Sequence, residues 1–389
     1  MSLKFITNKS YAQKVLLSLM ALFLASCLEE FDFQTETFES AIVVEATITN
    51  EFKNHTVLIT RTFRFEEDGP SAESNANVTV VSNTNTYTFQ ETTPGVYVST
   101  TPFSAQAGID YQLLITTSDG RNYQSATTQL TNVTQIDTIE ANRITNDDGE
   151  NGMQITVDSF DPTGNSKYYR YTYEETYKII APLWSPLDAQ PSTDPGSCDL
   201  SFLPRVEENR TCFASNNSNS IILTDTTDFI EDRVSGFEVR FLDSNNYIIS
   251  HRYSILVYQY VQSLEAYTFY RTLRDLSSSE SLFNQNQPGF FAGNVTSVSN
   301  ENEKVIGFFE VSSVDSERIF FNYADFYPNE PLPDYVISCT TVAPELQNEA
   351  GCVLSLQVAA GNIEYVADNS NPDPDTNEGP YLMASPPCV

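Results

Sequence analysis

Ile42-Val43-Val44-Glu45-Ala46-Thr47-Ile48-Thr49 is the stretch whose reading decides the fold. It is rich in β-branched residues and partly alternating, as a strand with one buried face must be. Similar segments follow at short intervals: His55-Thr-Val-Leu-Ile-Thr-Arg-Thr, Asn77-Val-Thr-Val-Val, Thr86-Tyr-Thr-Phe, Gly95-Val-Tyr-Val and Tyr111-Gln-Leu-Leu-Ile-Thr-Thr. Turn formers fill the gaps, at Asp68-Gly69-Pro70, Asn83-Thr-Asn85, Pro94-Gly95 and Asp119-Gly120. Short strands at roughly ten-residue spacing, with no helical segment between them, predict an antiparallel sandwich of immunoglobulin-like or transthyretin-like type over 41–133.

A second, mostly β domain is expected over 134–389. Met153 to Pro162 reads as one strand, and Lys167 to Lys178 as a strand dense in tyrosine that continues to Trp184. Tyrosine at this density serves either as a ligand platform or as the polar-edged face of an ordinary strand. Tyr169, Tyr171, Tyr173 and Trp184 are the ligand-binding candidates on the first reading. Ser185 to Asn219 has no periodicity. Strands resume at Ser220, Phe237, Tyr247 and Tyr253, and one helix is expected near 263–276. Ser263 is its N-cap, Glu265 sits in its first turn, and Leu264, Tyr267, Tyr270 and Leu273 recur at helical spacing. Val305 to Val311 and Arg318 to Asn322 read as buried strands, and the Pro/Asn/Asp-rich tail from Pro328 wraps the surface.

Upstream of the first strand the chain changes character. Lys4, Lys9 and Lys14 precede the apolar run Val15 to Leu24, and small residues follow. That is the layout of a secretory signal peptide over 1–26, too short to span a bilayer. Leu24-Ala25-Ser26-Cys27 is similar to the bacterial lipobox, which implies that Cys27 becomes the first mature residue and carries lipid. Residues 27–40 form an acidic tether that reaches about 40 Å when extended. Its Glu29, Glu30 and Asp32 resemble the surface-export signal of Bacteroidota lipoproteins.

The net charge is −32, and loss of the three leader lysines takes it to −35. Such a field repels phosphate backbones, which argues against nucleic acid as a partner. Cysteine usage agrees with an oxidising compartment. Spacing pairs Cys198 with Cys212 and Cys339 with Cys352, each closing a loop of about 15 residues worth about 3 kcal/mol. Cys388 is left over: free, or a competitor of Cys339 for Cys352. Zinc would require closer cysteine pairs or adjacent histidines, and the chain has only His55 and His251.

Catalytic signals are thin. Neither histidine accompanies a nucleophile elbow, and no GxGxxG, Walker loop or HExxH is present. No catalytic residue, metal ligand or cofactor is assigned. Asn146 to Glu150 and Asp368 to Glu378 are oxygen-rich, but neither keeps a full calcium loop, and solvated turns are the preferred reading. Asp137-Thr138-Ile139 and Asp225-Thr226-Thr227 resemble the O-glycosylation sequon of Bacteroidota.

The order of the pieces resembles a family. Ile42 to Thr49, Thr211-Cys212-Phe213, Arg252 to Val257, Ala266-Tyr267, Leu282-Phe283, Gly293-Asn294-Val295 and Val305-Ile306-Gly307-Phe308-Phe309 are similar, in that order, to an uncharacterised Bacteroidota outer-membrane lipoprotein family known only as a domain of unknown function. Ala46 stands where that family often has glycine, and the ending Pro386-Pro387-Cys388-Val389 looks like a family tail cut short. The resemblance implies a surface-exposed lipoprotein of the outer membrane, acting as an accessory or ligand-capture partner of a TonB-dependent receptor. The rival expectation is a structural or adhesive surface lipoprotein.

Overall fold

The computed structural model describes residues 40–64, 67, 69–278, 293–372 and 378–389. The leader, Cys27 and most of the tether lie outside the described residues, as does Leu282-Phe283. The chain is mainly β with several antiparallel sheets. Ala41–Thr62 and Pro70–Val389 form one compact unit, and everything below concerns it.

Its first part contains β1 (Ile42–Thr49), β2 (Thr56–Arg61), the two-residue β3 (Ser71–Ala72), β4 (Asn77–Ser82), β5 (Thr86–Thr93), β6 (Val96–Ser99), β7 (Asp110–Thr116), β8 (Asn122–Ser125) and β9 (Thr128–Gln129). Alternation decides which side chains go inward. In β7, Tyr111, Leu113 and Ile115 are buried while the residues between them are half-buried; in β4 the inward pair is Val78 and Val80. These join Ile42, Val44, Ala46 and Ile48 of β1 in one core, the sandwich-like arrangement expected.

The second part contains β10 (Ile136–Thr145), β11 (Asn151–Phe160), β12 (Tyr168–Ile180), β13 (Leu187–Pro191), β14 (Leu200–Pro204), β15 (Thr211–Asn217), β16 (Ile222–Asp225), β17 (Arg233–Asp243), β18 (Arg252–Gln262), helix α1 (Leu264–Ser278), β19 (Val295–Ser297) and β20 (Val305–Asn322). A three-stranded sheet, β10-β11-β17, contributes Met153, Ile155 and Val157 to a second core. The order β15-β12-β18-β20 contributes Tyr169, Tyr171, Tyr253, Ile255, Val257 and Phe321 to that core. Helix α1 begins where the sequence puts it, with the Ser263 hydroxyl accepting from the Ala266 N–H at 3.2 Å. Tyr247–Ile249, expected as strand, is instead a single 3₁₀ turn. Asn246 caps it by accepting from the Ile248 N–H, and Ile248 and Ile249 are buried.

The boundary expected at residue 133 does not divide the hydrogen-bonded sheet. β20 is one 18-residue strand, not two. Its first half, Val305 to Ser312, pairs in parallel with β1; its second half, Ser313 to Asn322, pairs antiparallel with β18. Val305, Phe309 and Val311 lie in the first core and Phe321 in the second. Parallel strands are buried on both faces, and every residue from Gly307 to Val314 is buried, Glu310 and two serines among them. Asn294 clasps this joint: its side-chain amide donates to the Phe309 carbonyl at 2.8 Å and accepts from the Phe309 N–H at 2.7 Å. Gly293 and Gly307 allow the approach. A Cβ on Gly293 would meet the Gly307 carbonyl oxygen at 1.5 Å, and one on Gly307 would meet the Val44 carbonyl oxygen at 2.1 Å.

The cysteine pairing differs from the one spacing suggests. The bridges are Cys198–Cys352 and Cys339–Cys388, with Cα separations of 4.8 and 5.6 Å; Cys212 is a free, exposed thiol. The reason is that Ser185 to Pro204 and the tail fold together. The β13–β14 hairpin packs with α3 (Val353–Ala359) and the hairpin of β21 (Glu364–Asp368) with β22 (Tyr381–Ala384) around Leu200, Leu354, Tyr365 and Met383. A four-residue helix, α2 (Tyr323–Phe326), precedes this tail. The bridges therefore close loops of 154 and 49 residues. In the chain-entropy model each is worth about 4–5 kcal/mol, more than the short loops.

Gly307, at φ +140° and against the β1 backbone, carries the first prediction. Gly307→Ala should destabilise the protein by about 3 kcal/mol or more, because backbone must move to admit the methyl group. Gly149→Ala, at φ +82° in open space, should cost only about 1 kcal/mol of backbone strain. Urea denaturation of both variants compares the two, and equal losses would show that the β1–β20 contact is not critical.

Candidate functional site

The tyrosine strand does not form a ligand platform. Tyr169 and Tyr171 are fully buried and Tyr173 nearly so, because their positions alternate toward the second core. Their hydroxyls need partners there. Tyr171 donates to the Gln259 side-chain oxygen at 3.0 Å, and Gln259 donates in turn to the Thr134 carbonyl at 3.0 Å. Tyr169 reaches Asp232 at 3.4 Å. Tyr173 lies under the Arg240 guanidinium, which is paired with Glu175; Glu175 also accepts from the Tyr253 hydroxyl at 2.7 Å. Trp184 stands apart from that core, donating to Asn209 at 2.9 Å. The density of tyrosine reflects a polar-pinned core.

The opposite face of β12 is more promising, because alternation sends Arg170 and Thr172 outward there. Beside them lies a cleft of about 570 Å³. Glu45 and Thr47 of β1, Thr56 of β2, the Lys53-Asn54-His55 loop, Ser220 and Tyr270 of α1 complete its polar wall. Arg170 is its anchor. The guanidinium lies between the rings of Tyr260 at 4.3 Å and Tyr270 at 4.7 Å, and pairs with Glu310 at 3.0 Å. Burial works against its charge, but Glu310 and the two tyrosines prevail and raise its pKa. Glu310, almost fully buried, also accepts from the Gln262 amide at 3.0 Å and from the Ser312 hydroxyl. The Arg170 Nε is buried without a hydrogen-bond partner. Sequence reasoning missed both residues. The available signal was an acid, Glu310, interrupting the apolar run Val305 to Val311.

His55 borders the cleft as a neutral group. Its Nε2 stands 2.9 Å from the Phe103 carbonyl oxygen, which only accepts, so the proton resides on Nε2. Nδ1 is buried without a partner. Burial lowers the imidazole pKa to about 4, against the opposing pull of that carbonyl. A carboxylate, an ammonium, several hydroxyls and an aromatic ring around an open volume suit a polar solute that both donates and accepts hydrogen bonds. Among the described residues no group of three or more His, Cys, Asp or Glu side chains is arranged to hold a metal.

The remaining sequence candidates resolve individually. Asn146 to Glu150 is a turn, with the Asn146 side-chain oxygen accepting from the Asp148 and Glu150 N–H groups. Part of the Asp368 to Glu378 stretch lies outside the described residues. Thr138 is exposed on β10, whereas Thr226 is buried and donates to Asp232. His251 is half-buried at the other end of the sheet.

Fold and site together define a mainly-β protein whose two sandwich-like cores share one strand, with an open polar cleft on the outer face of their common sheet. Residues 28–318 match the family described as domain of unknown function DUF4249, and the chain belongs to that family. No curated protein matches it.

The neutral His55 makes stability pH-dependent. Its folded pKa lies below the free value of 6.5, so protons bind the unfolded chain preferentially. The stability it confers is complete above pH 6.5 and declines toward pH 4, by at most about 3 kcal/mol. Melting curves from pH 7.5 to 4 should fall more steeply for the wild type than for His55→Gln; parallel curves would place the titration elsewhere.

Proposed function

We propose that this protein is a lipid-anchored, outward-facing protein of the bacterial outer membrane that serves as an accessory or ligand-capture partner of a TonB-dependent receptor. The observation that carries the reading is Leu24-Ala25-Ser26-Cys27 behind a lysine-bearing leader with a short apolar run. Lipid on Cys27 holds the protein at the membrane, and a 27–40 tether spans at most about 40 Å when fully extended. Two disulfides support an oxidising compartment. The ordered resemblance to Bacteroidota outer-membrane lipoproteins supports the receptor partnership, and the cleft around Arg170 supports capture of a polar solute. The role is binding, not catalysis.

The test is affinity purification of a tagged chain from gently solubilised outer membranes, followed by mass spectrometry. A near-stoichiometric TonB-dependent barrel is the expected companion, and Cys27→Ser should release the protein from the membrane fraction. Recovery of the lipoprotein alone at full expression would overturn the receptor partnership and favour the structural or adhesive role.

A further inference from the structure

Acids outnumber bases 52 to 20 in this chain, and many described cations have a carboxylate partner: Arg61 with Glu73, Arg143 with Glu330, Arg170 with Glu310, Arg240 with Glu175. Lys178 and Arg252 are among those outside that pattern. Among the described residues, neither has a carboxylate within the 4.0 Å of an ion pair. Strand register brings them together. Tyr177 of β12 faces Tyr253 of β18, and Arg252 faces Asn322 of β20. One step beyond the Tyr177–Tyr253 pair stand Lys178 and Arg252, side by side. Tyr177, Tyr253 and Phe321 are buried in the second core, so Lys178, Arg252 and Asn322 take the opposite face of the sheet.

There the three line a groove of about 410 Å³ with Ser250, His251 and Leu332. The groove shares Lys178, Ser250, His251 and Leu332 with an adjoining hollow of about 250 Å³, whose wall includes Ile180, Pro182 and Tyr335. One half is cationic and the other largely apolar, with Asp334 the acid that lines the hollow. Adjacent like charges repel, a cost that an anion between them would remove. His251 adds no third charge at neutral pH: burial and the Lys178 ammonium both lower its proton affinity.

We propose that this groove binds an organic anion, with its acidic head between Lys178 and Arg252 and its apolar body against Ile180, Pro182 and Leu332. An inorganic anion would leave the apolar wall unused, and a cationic amphiphile would meet the wrong charge. The site lies apart from the residues that line the Arg170 cleft and does not depend on the receptor reading.

Titration calorimetry of the purified full chain with octanoate at pH 7 tests it, with octylammonium and acetate as comparison probes. Octanoate should bind at one site, and octylammonium and acetate much more weakly. Lys178→Gln with Arg252→Gln should weaken octanoate at least tenfold, equivalent to about 1.4 kcal/mol. Leu332→Asp should also weaken it, while Lys304→Gln, at the far end of β20, should not. Both glutamine exchanges are at solvent-facing positions, and unchanged melting curves confirm that the variants fold. No octanoate binding, equal binding of octylammonium, displacement by acetate at equal affinity, or an unaffected double variant would each overturn the proposal.

Discussion

Parallel pairing of β1 with the first half of β20 is the constraint on which the rest of the architecture depends. It joins residues that are more than 260 positions apart, Ile42 with Val305 and Thr49 with Ser312. Closing so long a loop costs entropy, which only extensive burial can offset. Ile42, Val44, Val305 and Phe309 supply that burial, and Gly307 lets the two backbones meet. Because β20 continues into the second sandwich, one strand transmits order to both cores. The separately readable pieces Ile42 to Thr49, Gly293-Asn294-Val295 and Val305 to Phe309 therefore have one physical explanation: all belong to the joint.

Polar chemistry in the second half follows from what the first imposes. Once β20 carries β18 and β12 alongside it, Tyr169, Tyr171, Tyr173 and Tyr177 of β12 must enter a core. There the Tyr171 hydroxyl meets Gln259, which reaches the Thr134 carbonyl, the Tyr169 hydroxyl meets Asp232, and the Tyr173 ring meets the Arg240 guanidinium. The alternate residues emerge on the other face, where Arg170 and Lys178 meet two different environments. Arg170 is paired with Glu310 and held between tyrosine rings, whereas Lys178 stands beside another cation. One strand thus supplies a core wall on one side and two distinct polar sites on the other.

Much of this was legible locally. The strands of the first sandwich follow from alternation and turn residues, and α1 follows from Ser263 and its helical spacing. The inward fate of Tyr169, Tyr171 and Tyr173 was also readable, since they share a parity that a half-buried strand must bury. Long-range pairing was not. Spacing along the chain favours Cys198–Cys212, but Cys198 meets Cys352 because the β13–β14 hairpin packs with α3 and the β21–β22 hairpin. The Arg170 cleft was hidden for the same reason: its walls come from β1, β2, β12 and α1, which no local pattern connects.

Differential scanning calorimetry of the purified chain tests the shared-strand architecture most directly. If β20 makes the two sandwiches one cooperative structure, unfolding should occur in a single transition whose calorimetric and van't Hoff enthalpies agree. Two separable transitions, one for each core, would contradict it.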